Sequence, residues 1–308
     1  MLCQKCGAVA VISNFNGTFC ADHFKENFEK IVLETIEKYG MIEEGERIAV
    51  ANSGGKDSLS LLYILSKYFG DKNDIVSITI DEGIHGYRDK TIGTMKKYCE
   101  MWGVDYVVYS YKDFAGLGMD DIVKKESGIP CASCGVLRRH LINAGAIEQR
   151  ADKLLTAHNM DDEAESVLMN IFQKDYEKLL RSGPISGIEA KEGFVPRVKP
   201  FIFVSEKETM LFSILNGIDA LHTPCPYSGF GFRGVLAKVV KQLESDVPGS
   251  KKKIIDASIF VKNAHSGDRV VSARAKLLNC SECGSPSSRT VCEACAIKSR
   301  VSGQISKG

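Results

Sequence analysis

The sequence predicts an α/β protein built on a parallel sheet, with a small metal-binding element near each end of the chain. Short aliphatic and β-branched runs alternate with longer stretches of helical periodicity from about residue 26 to residue 172. That alternation produces a parallel sheet covered on both faces, with ligands at the carboxyl ends of its strands. One of these strands leads through the Gly-rich turn Ser53-Gly54-Gly55-Lys56-Asp57-Ser58 into a helix. Every cysteine except Cys99 falls into a group with spacing suited to metal or redox chemistry.

Length and composition bound the rest. A chain of 308 residues has room for one large domain with appendages, or for two domains. The expected division is a metal element over residues 1–27, an α/β body over 28–245, and a helical segment with a second cysteine element over 246–308. Hydrophobic content of 44% and charged content of 26% are ordinary for a soluble protein. No run approaches a membrane span, and no basic stretch followed by a long apolar one suggests export. A cytoplasmic protein with no membrane partner is expected. At a net charge of +1, any nucleic-acid surface must be a local patch.

In chain order, Cys3, Cys6, Cys20 and His23 read C-x2-C-x13-C-x2-H, two ligand pairs that suit tetrahedral Zn²⁺. The intervening residues read as a hairpin with an Asn-Gly turn. A helix is predicted from Glu26 to Tyr39. Strand Ile48–Val50, the Gly-rich turn and a helix to Phe69 follow. Strand Asp74–Asp81, helix Arg88–Trp102, strand Val104–Tyr111, strand Lys153–Asn159 and helix Met160–Phe172 complete the alternation. Cys99 lies on a helical pattern and is expected to be a buried small hydrophobe. Cys131 and Cys134 form a C-x2-C opening a helix that carries Arg138 and Arg139. Cys225 follows a short strand pattern at Ile218 to Leu221. The Lys251–Lys253 run reads as a solvated charged segment. Cys280, Cys283, Cys292 and Cys295 form C-x2-C-x8-C-x2-C, a second closed zinc spacing.

The Gly-rich turn carries the chemistry. A strand, a glycine turn and a helix N-terminus place several backbone N–H groups where phosphate binds. Gly54 and Gly55 permit close approach, Lys56 adds charge, and Ser53 and Ser58 add hydroxyl donors. The Walker A spacing is absent. Asp81 ends the second strand, and His158, Asn159, Asp161 and Asp162 end the fourth, on the face where the turn lies. Carboxylates there can hold Mg²⁺ against phosphate oxygens, or simply cap a helix. For Cys131, Cys134 and Cys225 three readings stand open: a three-thiolate iron–sulfur site, a persulfide or redox pair with a helper, and a zinc site completed by water.

SGGKDS resembles the PP-loop of the ATP pyrophosphatases, and the whole set of motifs resembles the PP-loop tRNA thiolases of the archaeal and eukaryotic cytosolic type. The resemblance rests on the N-terminal C-x2-C…C-x2-H, SGGKDS, C-x2-C-G-x2-R-R, H-N-x-D-D, P-R-x-K-P at Pro196–Pro200, C-P-Y at Cys225 and the C-terminal four-cysteine element. It implies a Rossmann-like PP-loop domain that adenylates the C2 carbonyl of a tRNA uridine with ATP and replaces its oxygen with sulfur. ATP would lie on Ser53 to Ser58, bordered by Asp81 and His158, with Mg²⁺ on Asp57 or Asp161. The resemblance makes Cys131, Cys134 and Cys225 the ligands of a [4Fe–4S] cluster. The alternative makes Cys131 or Cys225 a persulfide carrier. Two Zn²⁺, a homodimer, and tRNA contacts from Arg138, Arg139, Arg197, Lys199 and Arg233 are further implications. The sulfur donor is a ubiquitin-like thiocarboxylate or sulfide. The modest charge content favours the wobble over the T-loop uridine. Two readings from other classes predict less of the sequence. An amide-forming PP-loop ligase needs no cysteine trio, and a zinc-ribbon RNA-binding protein needs no SGGKDS.

Overall fold

A computed structural model describes the chain except residues 127, 129, 187–192, 222, 229–230, 266–277 and 304–308. The first elements are β1 (Ile12–Asn14), β2 (Gly17–Phe19), α1 (Ala21–Lys38), β3 (Arg47–Ala51), α2 (Lys56–Phe69), β4 (Asp74–Asp81), α3 (Arg88–Trp102) and β5 (Asp105–Ser110). Next come α4 (Tyr111–Ala115), α5 (Met119–Lys125), α6 (Pro130–Glu148), β6 (Lys153–Thr156), α7 (Met160–Phe172), α8 (Tyr176–Leu180), β7 (Ile185–Ser186) and β8 (Arg197–Val198). The chain continues through α9 (Glu206–Leu215), α10 (Phe232–Asp246), α11 (Ser250–Ala264), β9 (Leu278–Asn279), β10 (Pro286–Ser287) and α12 (Glu293–Ser302).

The main sheet has the order β5-β4-β3-β6-β8-β7, parallel except for β7. From β3 the chain winds outward through β4 and β5, then crosses back to place β6 on the other side of β3. The loops after β3 and β6 therefore diverge and open a crevice at the strand ends, where such folds bind ligands.

Alternation along the strands divides the core between two faces. Ile48, Val50 and Leu155 point to one, Ala49 and Leu154 to the other. The first face packs against α1, α2 and α9, and it includes Ile12 and Phe19 of the β1–β2 hairpin and Phe24 just after it. Phe28, enclosed at its centre, stacks on Phe212 at 4.3 Å and meets Phe201 edge-on at 5.5 Å. Burial of such a side chain contributes about 1.5–3 kcal/mol. The second face holds α6, together with Cys280, Cys292, Cys295 and Ile297 of the C-terminal element. Each cysteine element thus shares a core with one face of the sheet.

Three sequence expectations change. The hairpin turn is centred on Phe15 and Asn16, with Gly17 already paired to Asn14. The Asn14 side-chain oxygen accepts from the Asn16 N–H at 2.9 Å and holds the turn. Residues Ile218 to Leu221 form no strand. Ile218 and Ala220 pack against Leu59 and Tyr98, and the Tyr98 hydroxyl takes the backbone at Gly217 and Asp219 in place of a ladder. Lys251 is buried, not solvated. It shares a face of α11 with Ile255 and Ser258, the i, i+4, i+7 positions turned toward the body. Cys99 is fully buried, as expected of a small hydrophobe.

Candidate active site

The loop after β3 is tied down from within. Gly54 has φ +77°, and a Cβ there would lie 2.0 Å from the backbone oxygen of Thr91, so both conformation and space require glycine. Gly54 N–H donates to the buried Asn52 side chain at 2.9 Å. Ser58 Oγ accepts from Ser53 N–H at 3.2 Å and donates to the Gly55 carbonyl at 3.0 Å. No side chain caps α2 at Gly55, so its first-turn N–H groups are left for an anion.

Charged groups from four segments meet beside this loop. Lys56 Nζ lies 2.8 Å from Asp57 and 3.2 Å from Glu206 at the start of α9. Asn159 donates to Asp57 at 3.3 Å and caps α7 in a capping box with Asp162. Asp161 accepts from the Glu206 N–H at 2.9 Å and pairs with Lys251. Burial pushes the Asp57 carboxyl up, against the pull of Lys56. Burial alone would lower Lys56, but Asp57 and Glu206 raise it, so the lysine stays charged. The sequence offered no sign of Glu206. The helical register around Ile255 could have singled out Lys251.

Other predicted residues sit further out. Asp81 accepts from Gly83 N–H at 2.8 Å, a local turn. The His158 ring is bonded to the Thr156 hydroxyl at 2.9 Å. Desolvation and the nearby cations Lys199, Arg233 and Arg197 lower its pKa to about 3, so it is neutral at physiological pH.

The central cysteines approach one another at the same end of the sheet. The Cys131 thiol donates to the Tyr227 carbonyl at 3.1 Å, which fastens the opening of α6 to the Cys225 loop. Buried Cys134 lies 3.3 Å from the Tyr111 hydroxyl and 3.3 Å from Arg138 Nη2. Cys225 packs against the same cluster. Among the described residues only the two terminal sets close all their ligand atoms to within 4.8 Å. The looser central trio suits a polynuclear group better than a single ion. Soft donors beside a guanidinium and a helix N-terminus fit an anionic cluster.

A chain of charged contacts joins this trio to the Gly-rich loop. Arg138 Nε lies 2.8 Å from Glu82, Glu82 lies 2.5 Å from Arg88, and Arg88 donates to the Ser53 carbonyl at 2.9 Å. Glu82 and Arg88 are buried, and sequence reasoning singled out neither.

At the N-terminus, Cys6 and Cys20 sulfurs are 3.7 Å apart, and His23 Nδ1 is 3.4 Å from Cys3 and 3.3 Å from Cys20. At the C-terminus Cys283 and Cys292 are also 3.7 Å apart. A tetrahedron with Zn–S bonds of about 2.3 Å has edges of about 3.8 Å, so both sets fit zinc. Despite burial, which opposes it, backbone N–H groups lower Cys3 and Cys280 to about 6. Metal analysis should therefore find two zinc ions per chain, one for each four-ligand set. Cys3→Ser and Cys292→Ser should each lose one of them. A wild-type count of one would remove one site.

The PP-loop domain model matches residues 21–211. The chain is 35% identical over 314 residues to the tRNA 2-thiolation protein NcsA of Haloferax volcanii, covering 96% of this chain and 98% of that protein. It is 37% identical over 304 residues to cytoplasmic tRNA 2-thiolation protein 1 of Chlamydomonas reinhardtii, covering 96% and 84%. Among solved structures it resembles the U34-tRNA thiolase NcsA from Methanococcus maripaludis with its [4Fe–4S] cluster. There the TM-score is 0.80 at 30% identity, over 96% of this chain and 95% of the other.

Proposed function

Because this chain belongs to the PP-loop family of tRNA 2-thiolation proteins, we propose that it activates the C2 oxygen of a tRNA uridine with ATP and exchanges it for sulfur. It is a tRNA sulfurtransferase. The observation that carries the chemistry is the meeting of the Gly-rich loop, the Asp57–Asp161 carboxylates and the cysteine trio at one end of the sheet, joined through Arg88, Glu82 and Arg138.

ATP would lay its phosphates on the loop amides and on the Lys56 ammonium. Asp57 and Asp161, now paired with Lys56 and Lys251, would take up Mg²⁺ as those lysines turn to phosphate oxygens. The uridine O2 attacks the α-phosphate, the α–β bridge breaks, and pyrophosphate leaves. Lys56 and the amides stabilise the charge that develops. A sulfur nucleophile then adds at C2 and AMP departs with the original oxygen. Cys131, Cys134 and Cys225 would hold a [4Fe–4S] cluster, which when bound would supply iron able to carry sulfur.

The name of the related U34-tRNA thiolase supports the wobble uridine as the target. The sulfur donor is a ubiquitin-like thiocarboxylate or sulfide. A homodimer is supported by the exposed apolar stripe of α10, where Phe232, Val235, Val239 and Leu243 recur at helical spacing. A cytoplasmic location follows the naming of relatives, and no described helix is long and apolar enough to cross a membrane.

The test uses oxygen-free protein, unmodified tRNA, ATP and sulfide, with pyrophosphate and digested nucleosides measured together. Pyrophosphate release that depends on tRNA, with 2-thiouridine in the digest, is expected. Release without tRNA would favour a small-molecule ligase. No release at all would leave an RNA-binding protein.

A further inference from the structure

Basic residues expected to meet RNA separate into two kinds once their partners are known. Arg138 is paired with Glu82, Lys199 with buried Glu163 at 2.6 Å, and Arg233 with Asp162 and Glu165. Arg139 and Arg197 have no carboxylate partner among the described residues. Both line one cleft of about 290 Å³, where the C-terminal cysteine element closes on the α/β body.

The cleft is built, not incidental. Asn143 of α6 donates to the Gly193 carbonyl at 3.0 Å and accepts from Val195 N–H at 3.3 Å, which fixes the strand approach that carries Arg197. Gly193 has φ +90°, and a Cβ there would lie 2.4 Å from the Pro286 ring, so the C-terminal hairpin seats directly on it. Ser186 and Ser285 add hydroxyls, and no acidic side chain lines the cleft among the described residues. Arg197 Nε is enclosed and makes no hydrogen bond there. Burying an unmade donor is unfavourable, and so is a second positive charge in the same cleft. Burial and the Arg139 charge together lower the Arg197 pKa. An anion accepting from both guanidinium groups would relieve each of these costs.

We propose that Arg139 and Arg197 clamp one phosphodiester of the tRNA backbone in this cleft, between the α/β body and the C-terminal cysteine element. The proposal rests on the thiolase reading. Arg139 lies on α6, the helix that Cys131 and Cys134 open, and Arg197 pairs with Leu154 of β6, so the cleft lies on the side of the sheet that carries the cysteine trio. A phosphate held here would therefore fix RNA register along the side of the body that carries the cysteine trio.

The test measures tRNA affinity against salt for wild type, Arg139→Gln/Arg197→Gln, and the charge-preserving Arg139→Lys/Arg197→Lys. The Gln pair should bind about tenfold more weakly at low salt, with the slope of log K against log salt reduced by about 1, while the Lys pair keeps the wild-type slope. An unchanged slope and affinity in the Gln pair would overturn the clamp and leave the thiolase reading intact. Wild-type protein that binds no tRNA would overturn that reading and the clamp with it. A measurement on unmutated protein guards against misfolded variants: arginine labelling with phenylglyoxal, read by mass spectrometry. Arg139 and Arg197 should be shielded by tRNA and not by ATP. Equal labelling with and without tRNA, or shielding by inorganic phosphate alone, would overturn the assignment to RNA.

Discussion

Lys56→Ala is expected to lower tRNA-dependent pyrophosphate and AMP formation by about 10²–10³, the loss typical of removing one preorganised group that meets transition-state charge. The lysine sits on the first turn of α2, between Asp57 and Glu206. Without it, the α-phosphate loses a cation and Asp57, already pushed up by burial, loses the partner that favours its ionised form. Asp57→Ala should fall as far through loss of the carboxylate proposed to hold Mg²⁺. Both side chains are partly covered and paired with each other, so a thermal unfolding curve on each variant separates lost chemistry from lost fold. Single-turnover adenylation within about tenfold of wild type, ~1.4 kcal/mol of barrier, would remove both residues from the mechanism.

Changing Cys131, Cys134 or Cys225 to Ala should abolish 2-thiouridine formation while pyrophosphate release falls less. The Gly-rich loop is held by Asn52, Ser58 and Arg88, and among the described residues no hydrogen bond joins it to the thiols. Protein prepared without oxygen should be brown, with about four irons per chain, and each substitution should remove colour and thiolation together. A persulfide mechanism predicts otherwise: full activity in iron-free protein and unequal effects of the three substitutions. Active, colourless enzyme would therefore replace the cluster by a thiol carrier. Arg138 offers a further comparison, since its guanidinium reaches Cys134. It belongs to the thiol site as much as to any RNA surface.

What the sequence alone determined was local. Ser53 to Ser58 carry their conformation in their own residue types, because a glycine turn opening a helix needs little from elsewhere. The terminal four-ligand sets lie within short spans whose two-residue gaps bring ligand pairs together. Apolar runs were enough to locate the strands between Arg47 and Thr156, since a buried parallel strand reads as a short continuous apolar run, but their order in the sheet came from the structure. What only the tertiary structure decided was which charges meet. Lys56 finds Glu206 across 150 positions and Asp161 finds Lys251 across 90, and no spacing rule reaches that far. The same holds for the basic residues near the site. Arg138, Lys199 and Arg233 carry the same positive charge in sequence as Arg139 and Arg197. Packing gives the first three carboxylates and leaves the last two in one cleft with no carboxylate partner among the described residues. Ionic attraction has no memory of chain order: the fold selects the partner, and the partner decides whether a cation serves structure or waits for a ligand.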